Sequence, residues 1–142
     1  MRAAACAAVV LIALTAVLTG CGGSGAQTPA VGVINVRERD FKLSVSRTHI
    51  AAGEVVFRAH NVGPDAHELI VVRSDGGRLR LRADGMTVDE EGLEKSIVGT
   101  LEPGLAGSTR ELRVRLEPGT YTLFCNMYGH FMGGMHSTLV VA

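Results

Sequence analysis

Charge imbalance is the first thing this 142-residue chain does without: fourteen basic residues face fourteen acidic ones, for a formal net charge of zero. No block of like charge interrupts it, so nothing in the charge pattern suggests nucleic-acid binding, and electrostatic steering cannot be read from this balance. Lysine is nearly missing, with Lys42 and Lys95 alone, and arginine supplies the rest of the basic side. Cysteine is scarce too: Cys6, Cys21 and Cys125 are the whole complement. No internal repeat is visible. No Ser-His-Asp arrangement, paired catalytic carboxylates or phosphate-binding glycine loop is recognisable, and these gaps point away from an enzyme. The one long apolar run, Ala3 to Leu18, has about 16 residues, where a membrane-spanning helix needs about 20.

That run follows Met1-Arg2 and ends in Leu18-Thr19-Gly20-Cys21. A short positive start, an apolar segment and small residues before a cut describe a secretory signal peptide, here residues 1–20. Cysteine directly after Leu-Thr-Gly resembles a bacterial lipobox. The resemblance implies diacylglycerol transfer to Cys21, cleavage before it, and a lipid anchor at the extracytoplasmic face of the cell membrane. Two or more acyl chains hold a protein at a bilayer where one does not. Residues 21–31 then form a Gly-rich tether, Gly22 to Ala30, with a root-mean-square reach of roughly 15–18 Å. On this reading Cys6 departs with the signal peptide and Cys21 is acylated. Cys125 is left as the only free thiol of an exported chain, with no disulfide partner.

Residues 32–142 have the length of one domain with one core. Val31–Val36, Phe41–Val45, Glu54–Ala59, Glu68–Val72, Glu111–Leu116, Tyr121–Phe124 and Thr138–Val141 read as strands, with Gly53, Gly63-Pro64, Gly76-Gly77 and Pro118-Gly119 between them. Many short strands with turn signals predict an all-β sandwich. Leu112, Val114 and Leu116 alternate with arginines, giving one buried and one wet face. The same alternation in Tyr121, Leu123 and Cys125 points Cys125 inward. Ser74 to Gly107 is the irregular stretch, read as an insertion packed outside one sheet. A short helix is expected around 88–98, with Asp89-Glu90-Glu91 in its first turn and Leu93 and Ile97 four apart.

The chemistry sits near the C-terminus. Cys125, His130 and Met135 recur at C-x4-H-x4-M spacing on a loop between two strands. Thiolate, imidazole and thioether are soft-to-borderline ligands that suit copper in both of its oxidation states. A trigonal His2Cys site with a weak axial Met needs a further histidine, and His67 supplies it in Asn61-Val62-Gly63-Pro64-Asp65-Ala66-His67-Glu68-Leu69. Gly129 and Gly133-Gly134 allow the tight backbone such a loop requires. Met127, Met132 and His136 are rival ligands by proximity. Met132 is expected to pack or join a surface rim, and His136 to point away if a strand begins there. Asn61 and Asn126 are expected to brace the ligand loops. Three functions follow: a single-electron carrier, a copper storage, delivery or resistance protein, and a copper-free interaction module.

These residues resemble the cupredoxins, the blue copper family, and are most similar to auracyanin- and rusticyanin-type proteins through the Cys-x4-His-x4-Met loop. The Asn-x-Gly-x-x-x-His-Glu-Leu stretch resembles the family's first-histidine segment. The likeness implies a Greek-key sandwich and one type 1 copper, with His67, Cys125 and His130 equatorial and Met135 axial. It also implies a monomer docking redox proteins near an exposed His130, within an apolar rim of Phe131, Met127, Tyr128 and Pro64. Leu116-Glu117-Pro118-Gly119-Thr120-Tyr121 resembles a tyrosine corner, making Tyr121 structural.

Overall fold

The computed structural model describes residues 32–142. The expected signal peptide, the expected tether and Cys21 lie outside them.

Nine strands build two sheets. They are β1 (Gly32–Arg39), β2 (Lys42–Val45), β3 (His49–Ile50), β4 (Gly53–Asn61), β5 (His67–Ser74), β6 (Ile97–Gly104), β7 (Thr109–Leu116), β8 (Gly119–Phe124) and β9 (His136–Val141). One sheet has the order β2-β1-β4-β7 and the other β3-β9-β8-β5-β6. β1 runs parallel to β4, and β3 parallel to β9. This is the all-β sandwich expected from the strand pattern.

Alternation decides what lies between the sheets. Ile34 and Val36 of β1, Val55, Phe57 and Ala59 of β4, and Leu69 and Val71 of β5 face inward. Leu43, Val114, Leu116, Tyr121, Leu123, Cys125, Met135, Leu139 and Val141 complete that core. The alternation of β1 also brings Glu38 inside, fully buried. A lone buried carboxylate is costly, and Arg110 of β7 pairs with it while donating to the Glu102 carbonyl.

β5 is buried on both faces, which explains its continuous run Leu69-Ile70-Val71-Val72. Ile70 and Val72 face outward, together with Phe124, into a second core formed with Leu79, Val88 and Phe131. Leu81, Leu93 and Ile97 pack on its margin, so the segment after β5 does cover the outside of one sheet. Its helix is narrower than expected: a single 3-10 turn, Glu91–Leu93. Ile97, expected to close that helix, instead begins β6, which pairs with β5 from His67↔Gly104 to Val72↔Ile97. Pairing with an open sheet edge outweighs the local helical pattern of so short a segment.

Tyr121 forms the expected corner, its hydroxyl donating to the Glu117 carbonyl at 2.8 Å. The two sheets then deliver three connections to one end of the sandwich. The β1–β2 turn, the β4–β5 loop and the β8–β9 loop meet there, because Glu38 lies beside Asn61 and Phe124 beside both Ile70 and His136.

Candidate metal centre

Three of the four ligand candidates stand at or next to the end of a strand, and His130 lies mid-loop. His67 is the first residue of β5, and Cys125 follows the last residue of β8. His130 and Met135 lie on the loop leading to β9. That loop is closed by its own backbone: His130 N donates to Met127 O at 2.8 Å, Met135 N to His130 O at 2.9 Å, and Cys125 N to Met135 O at 3.1 Å. Gly129 and Gly134 take φ of 79° and 104°, a region that favours glycine.

Three ligand atoms converge. The donor atoms of His67, Cys125 and His130 all lie within 4.8 Å of one another. His67 Nδ1 is 3.3 Å from His130 Nδ1, and Cys125 Sγ is 3.5 Å from His130 Nδ1. Nitrogen and sulfur donors at bond lengths of roughly 2.0–2.3 Å in a trigonal plane stand roughly 3.5–3.8 Å apart. The two His130 separations, 3.3 and 3.5 Å, lie close to that range. Met135 is fully buried in the same core cluster as Cys125. A buried thiol, two imidazoles presenting Nδ1 and a buried thioether are the donor set of a type 1 copper site.

Electrostatics at the site suit a metal that displaces a proton. Burial pushes the Cys125 thiol up to about 11, so without a metal it is protonated at neutral pH. Burial, and then the neighbouring His67, hold His130 below the usual imidazole range, keeping its ring neutral and able to donate electrons.

Both asparagines brace the loops. Asn61 Nδ2 donates to the carbonyls of Asp65 at 2.7 Å and Gly104 at 2.9 Å, while its Oδ1 accepts from Gly63 N at 2.9 Å. Asn126 binds Val88 through both main-chain groups, at 2.6 and 3.0 Å, and donates to Glu90 at 2.6 Å. Glu68 accepts from Asn126 N at 3.0 Å. Burial, and next the charge of Glu90, raise the Glu68 carboxyl above its usual range.

Two of the rival ligands, His136 and Met132, lie at the surface. His136 opens β9 and is exposed, its ring centroid 5.1 Å from Phe131 rather than turned to the site. Met132 is 53% exposed, and Met127 packs against the main core. Phe131 does not join a surface rim. It is buried in the second core, edge-on to Phe124 at 5.6 Å between centroids. Tyr128 and Pro64 do reach solvent.

His130 is not exposed as the resemblance implies. It is 7% accessible and lies under Phe41. The sequence reading also missed Asp40, whose Oδ1 is 3.0 Å from His67 Nε2. Asp40 and Phe41 are the two-residue turn between Arg39 and Lys42. Phe41, expected to open a strand, instead belongs to the turn, and Asp40 carried no signal in the sequence beyond preceding that run.

No protein-family model and no curated protein matches this chain. Solved structures do resemble it. Auracyanin B superposes with a TM-score of 0.59 at 23% identity, over 82% of this chain and 91% of that one. Auracyanin A, described as a "blue" copper protein of the green thermophilic photosynthetic bacterium Chloroflexus aurantiacus, gives 0.53 at 18% identity, over 78% and 100%. Rusticyanin from Thiobacillus ferrooxidans gives 0.55 at 15% identity, over 78% and 77%. Identities this low speak to architecture, and the architecture these structures share with the chain is the cupredoxin fold.

Proposed function

We propose that the protein is a type 1 copper electron carrier, held by a lipid on Cys21 at the extracytoplasmic face of the cell membrane. It would pass single electrons between redox proteins docking near His130. The observation that carries the reading is the convergence of His67, Cys125 and His130, all buried, beside buried Met135.

Bound copper would supply a one-electron couple, with thiolate and thioether holding Cu(I), imidazoles holding both states, and a long thioether contact tolerating either. The chain supplies rigidity. Strand ends, the self-bonded ligand loop and the two asparagine braces hold the donors in place, so a change of valence need not rearrange them. Burial of all four donors leaves little room for a substrate, which favours a carrier over an enzyme. The fold shared with auracyanin A, a blue copper protein, supports the same reading. Exposed Phe41, Tyr128 and Met132 offer apolar surface for transient docking.

The test is titration of the purified apoprotein with Cu(II). An intense visible Cu–thiolate band at one copper per chain, reversibly bleached by a one-electron reductant and lost in Cys125→Ser, is the expected result. Uptake and release of Cu(I) without that band would indicate copper storage or delivery, and no uptake would overturn the reading. Anchoring is tested separately: Cys21→Ala should release the protein from membranes and abolish acyl labelling.

A further inference from the structure

His67 is fully buried, and its two nitrogens have different neighbours. Nδ1 faces His130 Nδ1 at 3.3 Å, inside the ligand cluster. Nε2 faces outward, and Asp40 Oδ1 stands 3.0 Å from it. The pair is outside ideal hydrogen-bond alignment, yet neither atom has another side-chain or main-chain partner among the described residues. A fully buried ring nitrogen and a carboxylate oxygen, each with only the other at hand, are a matched pair.

The backbone is shaped to permit this. A Cβ on Gly63 would stand 2.6 Å from Asp40 Oδ1 and 3.0 Å from His67 Nε2, so only glycine leaves room for the two side chains to meet. On the other side Phe41 holds φ at 61°, a strained conformation rare for an aromatic residue. Strain at a two-residue turn over the ligands is the kind of feature retained where position matters.

Resting on the copper reading above, we propose that Asp40 is a positioning residue of the metal centre. Its carboxylate accepts from His67 Nε2–H, which fixes the tautomer that offers the Nδ1 lone pair. A histidine ligand whose other nitrogen is held by a carboxylate is a stronger and better-oriented donor. The Asp40 side chain is only 22% exposed, so water screens its charge incompletely. That negative charge stabilises the doubly charged ion more than the singly charged one. Asp40 therefore lowers the reduction potential.

The test compares the copper-loaded protein with Asp40→Asn, nearly identical in shape but uncharged, and with Asp65→Asn, an exposed carboxylate of the neighbouring loop. Asp40→Asn should keep the visible band and favour Cu(I) over Cu(II) at least tenfold, a potential rise of 59 mV for one electron. Asp65→Asn should change it by less than half as much. Equal shifts in the two variants, or none in Asp40→Asn, would overturn the role of Asp40 while the band still upheld the copper site. Without the band in unsubstituted protein, the copper reading itself fails. Proton NMR of the reduced, unsubstituted protein gives a check that needs no variant. A downfield, slowly exchanging His67 Nε2–H is expected, and its rapid exchange with water would count against the pair.

Discussion

The ring of Phe41 stands edge-on to the ring of His130, with centroids 5.3 Å apart and planes at 71°. Phe41 is 54% exposed and His130 only 7%, so a partner approaching along this contact meets Phe41 first. The surroundings of a metal site set solvent access and local dielectric, and through them the potential. Phe41→Gly removes the ring and relieves the backbone at φ 61°. Water reaching His130 should then favour Cu(II) by a few-fold, lowering the potential by about 20–60 mV on the scale of 59 mV per tenfold. Potentiometry decides it: an unchanged value would mean that the ring shields nothing.

Metal uptake should release a proton. Because burial holds the Cys125 thiol at about 11, the apoprotein is protonated there at neutral pH, whereas a bound metal requires the thiolate. Affinity should therefore rise about tenfold per pH unit between neutrality and that value, through this group alone. The raised thiol also ties apoprotein stability to pH. Its contribution is complete below the ordinary thiol value of 9.0 and is lost as pH climbs through about 11. Proton release measured in weak buffer during copper titration checks the first point, and alkaline unfolding of the apoprotein checks the second.

Gly63→Ala should disturb the metal site without touching a ligand. The new methyl would crowd Asp40 Oδ1, His67 Nε2 and Asp40 N, at 2.6, 3.0 and 3.1 Å. Forced overpacking of this kind costs about 1–3 kcal/mol. Chemical denaturation should show that loss together with a shifted potential; a loss of stability alone would separate the loop's packing from its hold on His67.

Tyr121→Phe offers the converse. It deletes the 2.8 Å hydrogen bond to the Glu117 carbonyl, at the end of the sheet away from the ligands. Stability should fall by about 0.5–1.5 kcal/mol. The visible spectrum and potential should stay as they were, and a change in either would tie this corner to the metal.

Strands with clear apolar alternation were legible. Leu112, Val114 and Leu116 kept their alternation, and so did Tyr121, Leu123 and Cys125. β1 was read short because Arg37, Glu38 and Arg39 look like a loop, although main-chain pairing carries the strand on to Arg39. Glu38 fills an inward position there only because Arg110, far along the chain, pairs with it. β6 escaped notice for a similar reason. Val98, Glu102 and Pro103 carry little strand pattern, and the edge of β5 supplies the order.

The candidate donor set was legible in the sequence, because C-x4-H-x4-M spacing puts three donors on one loop and the Asn-x-Gly-x-x-x-His-Glu-Leu stretch singles out His67 among the upstream histidines. What lies around those donors was decided by the fold. Asp40 and Phe41 reach His67 and His130 because parallel pairing of β1 with β4 carries their turn beside the first-histidine loop. Short-range spacing fixes which atoms are able to bind a metal. Long-range strand pairing fixes the charge and shielding around those atoms.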